Sequence, residues 1–437
     1  VPEIIVKSIP LFKNLNIIIL LDEYENFLEH QQVVINTLLK FTRPHIKFRI
    51  GMRLEGFRTF KMIAEEDFIK EYREYRKVIF EEALNKDKRF HRFLEEISRK
   101  RLESIGVLRE KGFINIKTIL SKEENLEDEA IALAKNKPNK IYEHFSKKVP
   151  KEHLDKVRYK DNPLLELLNY IWLTRGVTPE KTYRAMRDYL DKNKTEAGAK
   201  YERDYIHKYK LSLMFLLCSI YKKPKLYYSF NTFAFLSSGI VGNFIELCRG
   251  SFANAGWDDD LLLQEGKISK ASQSHAARDF SKDEIHQISR IETYGGEIST
   301  FIRNIGNIFL EYHLDFHLRY PETNQFAVNL DAIKDKNLRN AMSAAIKWSV
   351  IQRKPKMQRT TPGDPHLEDT YITNRIFAPS FQISYRTRGG KSVSLNEKNL
   401  RVLMHEDNTD ISKYIPNRNA LDKEEDKNTT ARLFPGL

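Results

Sequence analysis

A mostly helical chain built around an α/β core remnant, with an α+β domain toward its C-terminal end, is the fold that the sequence predicts. Three observations carry this: a strand, helix, strand pattern over residues 17–52, helical apolar spacing through most of 68–211, and a more strand-like texture after about residue 256. A length of 437 residues predicts a modular chain, since single hydrophobic cores stop growing at roughly 250 to 300 residues.

The run Ile17-Ile18-Ile19-Leu20-Leu21, bounded by Asn16 and Asp22, reads as a fully buried central strand. Leu28, Val34, Ile35, Leu38 and Leu39 recur at helical spacing until Arg43-Pro44 stops the helix, and Ile46 to Met52 forms a second strand. Strand, helix, strand is the half-unit of a doubly wound parallel sheet. Phe68, Tyr72, Tyr75 and Ile79 then make one helical stripe, continued by Phe90, Phe93, Leu94 and Ile97. The basic run Arg99-Lys100-Arg101 lies amid Glu95, Glu96 and Glu103 and reads as a solvated face with i,i+4 pairs. Lys135 to Lys140 reads as a loop, Leu211 to Tyr221 as an apolar helix, and Leu236 to Cys248 as a turn feeding a short helix. Beyond the acidic Asp258-Asp259-Asp260, helices around Ala271 to Ile291 and Ile298 to Phe316 lead into strands at Phe326 to Leu330, Tyr371 to Ile376 and Phe381 to Arg386. The tail after Asp407 is polar and reads as loosely held. The predicted domains are a core over 1–66, a helical insertion over 67–205, a helical lid over 206–256 and a C-terminal domain over 257–437.

Hydrophobic residues make up 41 % and charged residues 30 %, a globular and soluble balance. No apolar run approaches the ~18 residues that cross a bilayer. The start, Val1-Pro2-Glu3-Ile4, shows no signal peptide; a cytoplasmic protein with further sequence upstream is expected. Cys218 and Cys248 lack zinc or disulfide spacing and read as buried thiols. A net charge of +13 and a pI near 9.3 favour phosphates or an acidic partner. Between Lys334 and Lys391, 12 Lys and Arg face 4 Asp and Glu. The helix Leu338 to Ile351 places Leu338, Ala341, Met342, Ala345 and Trp348 on one side and is followed by strands, compatible with a winged helix. Arg386, Arg388 and Lys391 would then sit on the wing, facing DNA or an acidic protein.

Asp22 and Glu23 end the first strand in the pattern of a Walker B element. Such a strand plants an aspartate where Mg2+ and phosphates sit, and the following acid orients the attacking water. The bland alternative is a buried strand that merely ends in acidic residues. Arg53 follows the second strand, and a parallel neighbour would carry it to the same edge as Asp22, within reach of a γ-phosphate. Arg58 is a weaker candidate. The phosphate-cradling GxxxxGK[ST] is not found: Gly389-Gly390-Lys391-Ser392 has Tyr385 where the first Gly belongs and reads as a hairpin turn or wing tip. A Walker A strand is therefore expected upstream, within about one hundred residues by typical βαβ sizes. His313 and His317 are spaced i,i+4 around Asp315, but without HExxH or a third ligand they read as ordinary surface or packing histidines.

The runs IIILLDEYENF, KFRIGMR, YYSFNTFAFLSSGIVGNFIELC and YITNRIFAPSFQISYRTRG resemble the AAA+ and STAND-type ATPases of the origin-recognition (ORC/Cdc-like) group. Bacterial versions occur in antiviral defence loci. The resemblance implies a P-loop core, a lid and a C-terminal winged helix, with ATP and Mg2+ as cofactors. Asp22 would hold the metal, and Glu23 and Arg53 would be catalytic. Gly239 and Asn243, at the start of the lid helix, would face nucleotide. The family's Gly-x-Pro-Arg turn is here Gly239-Ile240-Val241-Gly242, so the Pro and the sensor Arg are replaced and the lid would contact nucleotide by packing. Three functions follow from the likeness: an ATP-operated switch that oligomerises with its own kind and controls an effector, a DNA-binding initiator or loader, and an ATPase-inactive scaffold.

Overall fold

The computed structural model describes residues 8–9, 16–41, 46–53, 56–64, 66–78, 89–122, 124–256, 260–354, 369–386 and 392–406. By packing, the chain divides into two units: Val1–Asp87 with Asn340–Ile351, and Lys88–Arg339 with Gln352–Leu437. It is mostly α with a small α/β core.

In the first unit, β1 (Ile17–Leu21), α1 (Glu29–Lys40) and β2 (Ile46–Ile50) form the strand, helix, strand pattern. The strands pair in parallel, from Ile17 beside Ile46 to Leu21 beside Ile50. Ile35 and Leu39 of α1 pack with Phe48 and Ile50 of β2, joined by Met62 and Ile69. The expectation of a fully buried β1 is corrected: Ile18 is 52 % and Leu20 75 % exposed. Among the described residues the sheet has two strands, and the face carrying Ile18 and Leu20 aligns with the exposed Lys47 and Arg49 of β2.

The helical stripe expected at Phe68, Tyr72 and Tyr75 is also corrected; Ile79 lies outside the described residues. Isolated bridges join Lys61 to Phe68 and Glu71 to Tyr75, and Tyr72 adopts a left-handed φ of 68°. Helical spacing makes a helix only where one face can be buried. Phe68 and Tyr72 are exposed, and the buried residue is Ile69 between them.

The second unit begins with α2 (Arg89–Glu103), α3 (Leu126–Ala134) and α4 (Lys140–Phe145). Next come α5 (Pro163–Thr174), α6 (Pro179–Leu190) and α7 (Lys210–Ile220). The start of α5 is locally specified: Asn162 accepts from the Leu164 and Leu165 amides, and Pro163 occupies the first turn. Leu164, Leu167, Leu168 and Ile171 are fully buried with Leu213, Leu216 and Leu217 of α7. Both helices are apolar on nearly every side, as interior helices must be. The unit continues through α8 (Phe230–Leu236), α9 (Val241–Ala255), α10 (Lys270–Ile288) and α11 (Gly295–His313).

The C-terminal elements are β3 (Gln325–Val328), α12 (Lys336–Lys347), β4 (Ile351–Arg353), β5 (Asp369–Thr373), β6 (Val393–Ser394) and α13 (Glu397–His405). The sheet order is β4-β5-β3-β6, with β3 antiparallel to β5 and parallel to β6. The strand expected at Phe381 to Arg386 is a short helix end followed by irregular chain, turned by Gln382 at φ 54°. Phe381, Ile383 and Tyr385 are buried, yet so are Gln382 and Ser384 between them. An alternating pattern signals a strand when only one face is interior; here both are, and the polar side chains are satisfied individually. Gln382 Oε1 accepts from the Lys225 amide at 2.7 Å and the Ser384 hydroxyl donates to Glu322 Oε2 at 3.0 Å, while the Ser384 backbone amide donates to His313 Nε2 at 2.9 Å.

His313 thus acts as a packing group. Its Nε2 is an acceptor, so Nδ1 carries the proton and donates to the Phe309 carbonyl at 2.7 Å. Burial holds its pKa down to about 4. Among the described residues no group of three potential metal ligands occurs, and no helix is long and apolar enough to cross a membrane. Burial pushes the Cys218 thiol up to about 12, leaving it an inert core group. The acidic run near Asp258, the helix stop at Arg43-Pro44 and the tail after Asp407 lie outside the described residues.

Candidate functional site

The edge where β1 and β2 end is assembled by backbone bonds. The Gly51 amide donates to the Leu21 carbonyl at 2.7 Å, and the Tyr24 amide returns to the Gly51 carbonyl at 3.1 Å. The parallel register therefore places Asp22 beside Gly51. A Cβ at position 51 would sit 2.8 Å from Asp22 Oδ1, so glycine is what leaves room for that carboxylate.

Asp22 and Glu23 are both exposed. Asp22 Oδ1 accepts the Glu23 amide at 2.9 Å, and Glu23 Oε2 accepts from the Asn26 side chain at 3.1 Å. Glu23 adopts a left-handed φ of 52°, a conformation that costs energy for a residue with a Cβ and recurs at functional turns. This bend sends the chain from the strand edge into the turn Tyr24–Asn26. The donor set fits a hard cation: an exposed carboxylate can supply the one or two protein ligands that Mg2+ takes alongside waters and phosphate oxygens.

Arg53 reaches past the end of β2 but is engaged elsewhere than at Asp22. Its Nε lies 3.3 Å from Glu25 Oε1, its amide donates to Glu25 Oε2 at 3.2 Å, and its guanidinium covers the Trp348 ring at 4.3 Å. Glu25, only 4 % exposed, is a residue that the sequence pattern did not single out. Its place three residues after Asp22 was the available signal. Arg58 donates to the Glu25 carbonyl at 3.0 Å and, through its amide, to Gln32 Oε1 at 2.8 Å. Both arginines thus brace the turn that carries Asp22 and Glu23. A second brace comes from α1: buried Asn36 donates to the Thr59 and Lys61 carbonyls, each at 2.9 Å, and Gln32 to those of Tyr24 and Gly56.

Gly239 and Asn243 lie in the second unit. Gly239 has φ 83° and open space where a Cβ would stand, forming with Ser238 a left-handed pair between α8 and α9. Asn243 is 8 % exposed, and its Nδ2 has no hydrogen-bond partner among the described residues. Arg386 is half-buried, its guanidinium 6.0 Å from the Tyr385 ring. With Glu124, Asn125, Leu126 and Lys210 it lines an open cavity of about 320 Å³. Arg388 and Lys391 lie outside the described residues.

No curated protein and no solved structure matches this chain. The family model described as ORC-CDC6-like matches residues 1–395, a span that includes the Asp22-Glu23 edge, the helical region and the β3 to β6 sheet. The chain therefore belongs to the ORC-CDC6-like family, whose class is that of nucleotide-binding AAA+ ATPases.

Proposed function

We propose that this chain is a regulatory AAA+/STAND-type ATPase in which the Asp22-Glu23 edge handles the phosphate end of Mg2+-bound ATP. The observation that carries the reading is the exposed acidic pair at the end of a parallel strand, with Gly51 clearing space against Asp22. Asp22 would hold Mg2+, which when bound neutralises phosphate charge. Glu23 would accept a hydrogen bond from the attacking water and orient it. Arg53 keeps its proposed sensor role through a two-position logic: the Glu25 and Trp348 contacts hold the guanidinium now, and a γ-phosphate would compete for it. For Gly239 and Asn243, nucleotide contact is supported by the open side of the glycine and the unspent amide donor of the asparagine. On this reading the protein is a nucleotide switch that assembles with copies of itself and controls an effector, in bacterial anti-phage defence.

A second reading, a DNA-binding loader acting through a winged helix, is favoured by the excess of basic residues between Lys334 and Lys391 and places Arg386, Arg388 and Lys391 on phosphates.

The test uses Glu23→Gln in the protein as the cell makes it. Binding of Mg2+-ATP should persist while phosphate release falls by about a hundredfold, the lower end of general-base effects. Turnover at the parental rate would remove Glu23 from the reaction, whereas absence of turnover in the parent itself would leave the scaffold reading in place.

A further inference from the structure

We propose that the cavity between the start of α3, the start of α7 and Arg386 binds a small organic carboxylate of about ten non-hydrogen atoms, gripped by Lys210 and Arg386. The site lies within the second unit, is independent of the ATPase reading and competes with the second reading for Arg386.

The chain that leads into α7 is wound in an unusual way. Arg203–Tyr209 is a π-helix between the helix Glu196–Glu202 and α7, a conformation that is rare and recurs at functional sites. Its geometric result is specific. Tyr205 Oη donates to Glu127 Oε1 at 2.7 Å, and Lys210 Nζ meets the same oxygen at 3.0 Å. In an α-helix of 3.6 residues per turn, side chains five positions apart point roughly 140° away from each other. A π-helix closes its hydrogen bonds over five residues, which stacks such positions on adjacent turns. The winding thus fixes Lys210 against Glu127 and holds its ammonium at the cavity wall.

The cavity itself measures about 320 Å³ and is lined by Glu124, Asn125, Leu126, Lys210 and Arg386. At about 30 Å³ for each water-sized group it takes roughly ten of them, the lower end of small-molecule sites. An adjoining space that shares Glu124, Leu126 and Arg386 has room for only about 10 Å³, so a ligand stops in the outer chamber.

Charge sets the ligand class. The lining carries two cations, Lys210 and Arg386, and one acid, Glu124, giving 2 − 1 = +1. The partners behind it cancel, because Glu124 pairs with Lys270 and Lys210 with Glu127. The deeper Lys225–Glu129 pair, at 2.8 Å, is neutral as well. A single negative charge therefore balances the site, whereas a phosphate dianion overshoots it. Arg386 supplies a planar fork that matches a carboxylate with two parallel hydrogen bonds, and Lys210 a point charge with three donors, of which the Glu127 contact uses one. Leu126 gives the body of the ligand an apolar wall.

The experiment uses the full chain, without nucleotide, and three probes of similar size: phenylacetate, phenylacetamide and phenyl phosphate, titrated by isothermal calorimetry at fixed ionic strength. Phenylacetate should bind saturably at one site with a Kd of about 1 mM or below, an ordinary yield for a ligand of this size. The neutral amide should bind at least tenfold more weakly, and Lys210→Met and Arg386→Met, each checked for native circular dichroism, should each weaken phenylacetate by about tenfold or more, as loss of a charged hydrogen bond does. Lys208→Met is the control, since it removes a cation of the same π-helix that pairs with Asp204 at 3.0 Å and does not line the cavity; it should leave the affinity unchanged. Absence of saturable phenylacetate binding would overturn the proposal, as would equal binding of the amide or parental affinity in both Met variants of the lining. Tighter binding of phenyl phosphate, lost in those two variants, would overturn the carboxylate assignment in favour of a phosphate monoester.

Discussion

Helices α1 and α5 solve the same problem with opposite faces. In α5, Leu164, Leu167, Leu168 and Ile171 are fully buried in an aliphatic cluster. In α1 the fully buried positions are Gln32 and Asn36, while Val34 and Leu38 stand 47 % and 52 % exposed and Phe41, just past the helix end, 67 %. The difference lies in what each helix must satisfy. Helix α5 lies among other apolar helices and chiefly has to leave water, its buried Asn169 serving a single carbonyl, that of Val157. Helix α1 borders irregular chain at 56–61, whose carbonyls would be buried without donors, and an unpaired buried polar group costs more than a paired one returns. Amides therefore take the inner face, and part of the apolar stripe is left outside. Periodicity reveals that a helix has two faces; it does not say which one the fold will bury.

Three substitutions would break or sharpen that contrast. The largest effect is expected at Leu168→Ala, where removing a fully buried aliphatic side chain should cost about 2 to 5 kcal/mol in urea unfolding. A loss below about 1 kcal/mol would show that the cluster collapses around the gap and is not tightly packed. Asn36→Leu comes next. It strips the donors from the Thr59 and Lys61 carbonyls and should cost about 1 to 3 kcal/mol, since their desolvation goes uncompensated. Hydrogen exchange should speed up around 59–69 with little change in α5; uniform change across both units would mean that the amides do not act locally. The smallest effect is expected at Leu20→Ser, on the exposed face of β1, within about 0.5 kcal/mol. A markedly larger loss would reveal that something covers this face in solution.

What the sequence determined by itself was local. The positions of β1 and β2, their parallel pairing and the placing of Asp22 and Glu23 at a strand end follow from short apolar runs, a helix between them and polar boundaries. The start of α5 is equally local in origin, a cap at Asn162 and a preset φ at Pro163, though the sequence pattern had not singled it out. The family likeness rested on the same short runs. The tertiary structure decided whatever depended on distant partners. Arg53 could be placed at the strand edge from sequence, but its capture by Glu25 and Trp348 joins positions nearly three hundred residues apart. The segment 381–386 has a strand's alternation, yet His313 and Lys225 hold it as irregular chain within the interior. The inward turn of Gln32 and Asn36 depends on carbonyls more than twenty residues away. In each case the deciding energy is a hydrogen bond or ion pair to a group that must be satisfied when water is removed, and no local pattern encodes where that group will be.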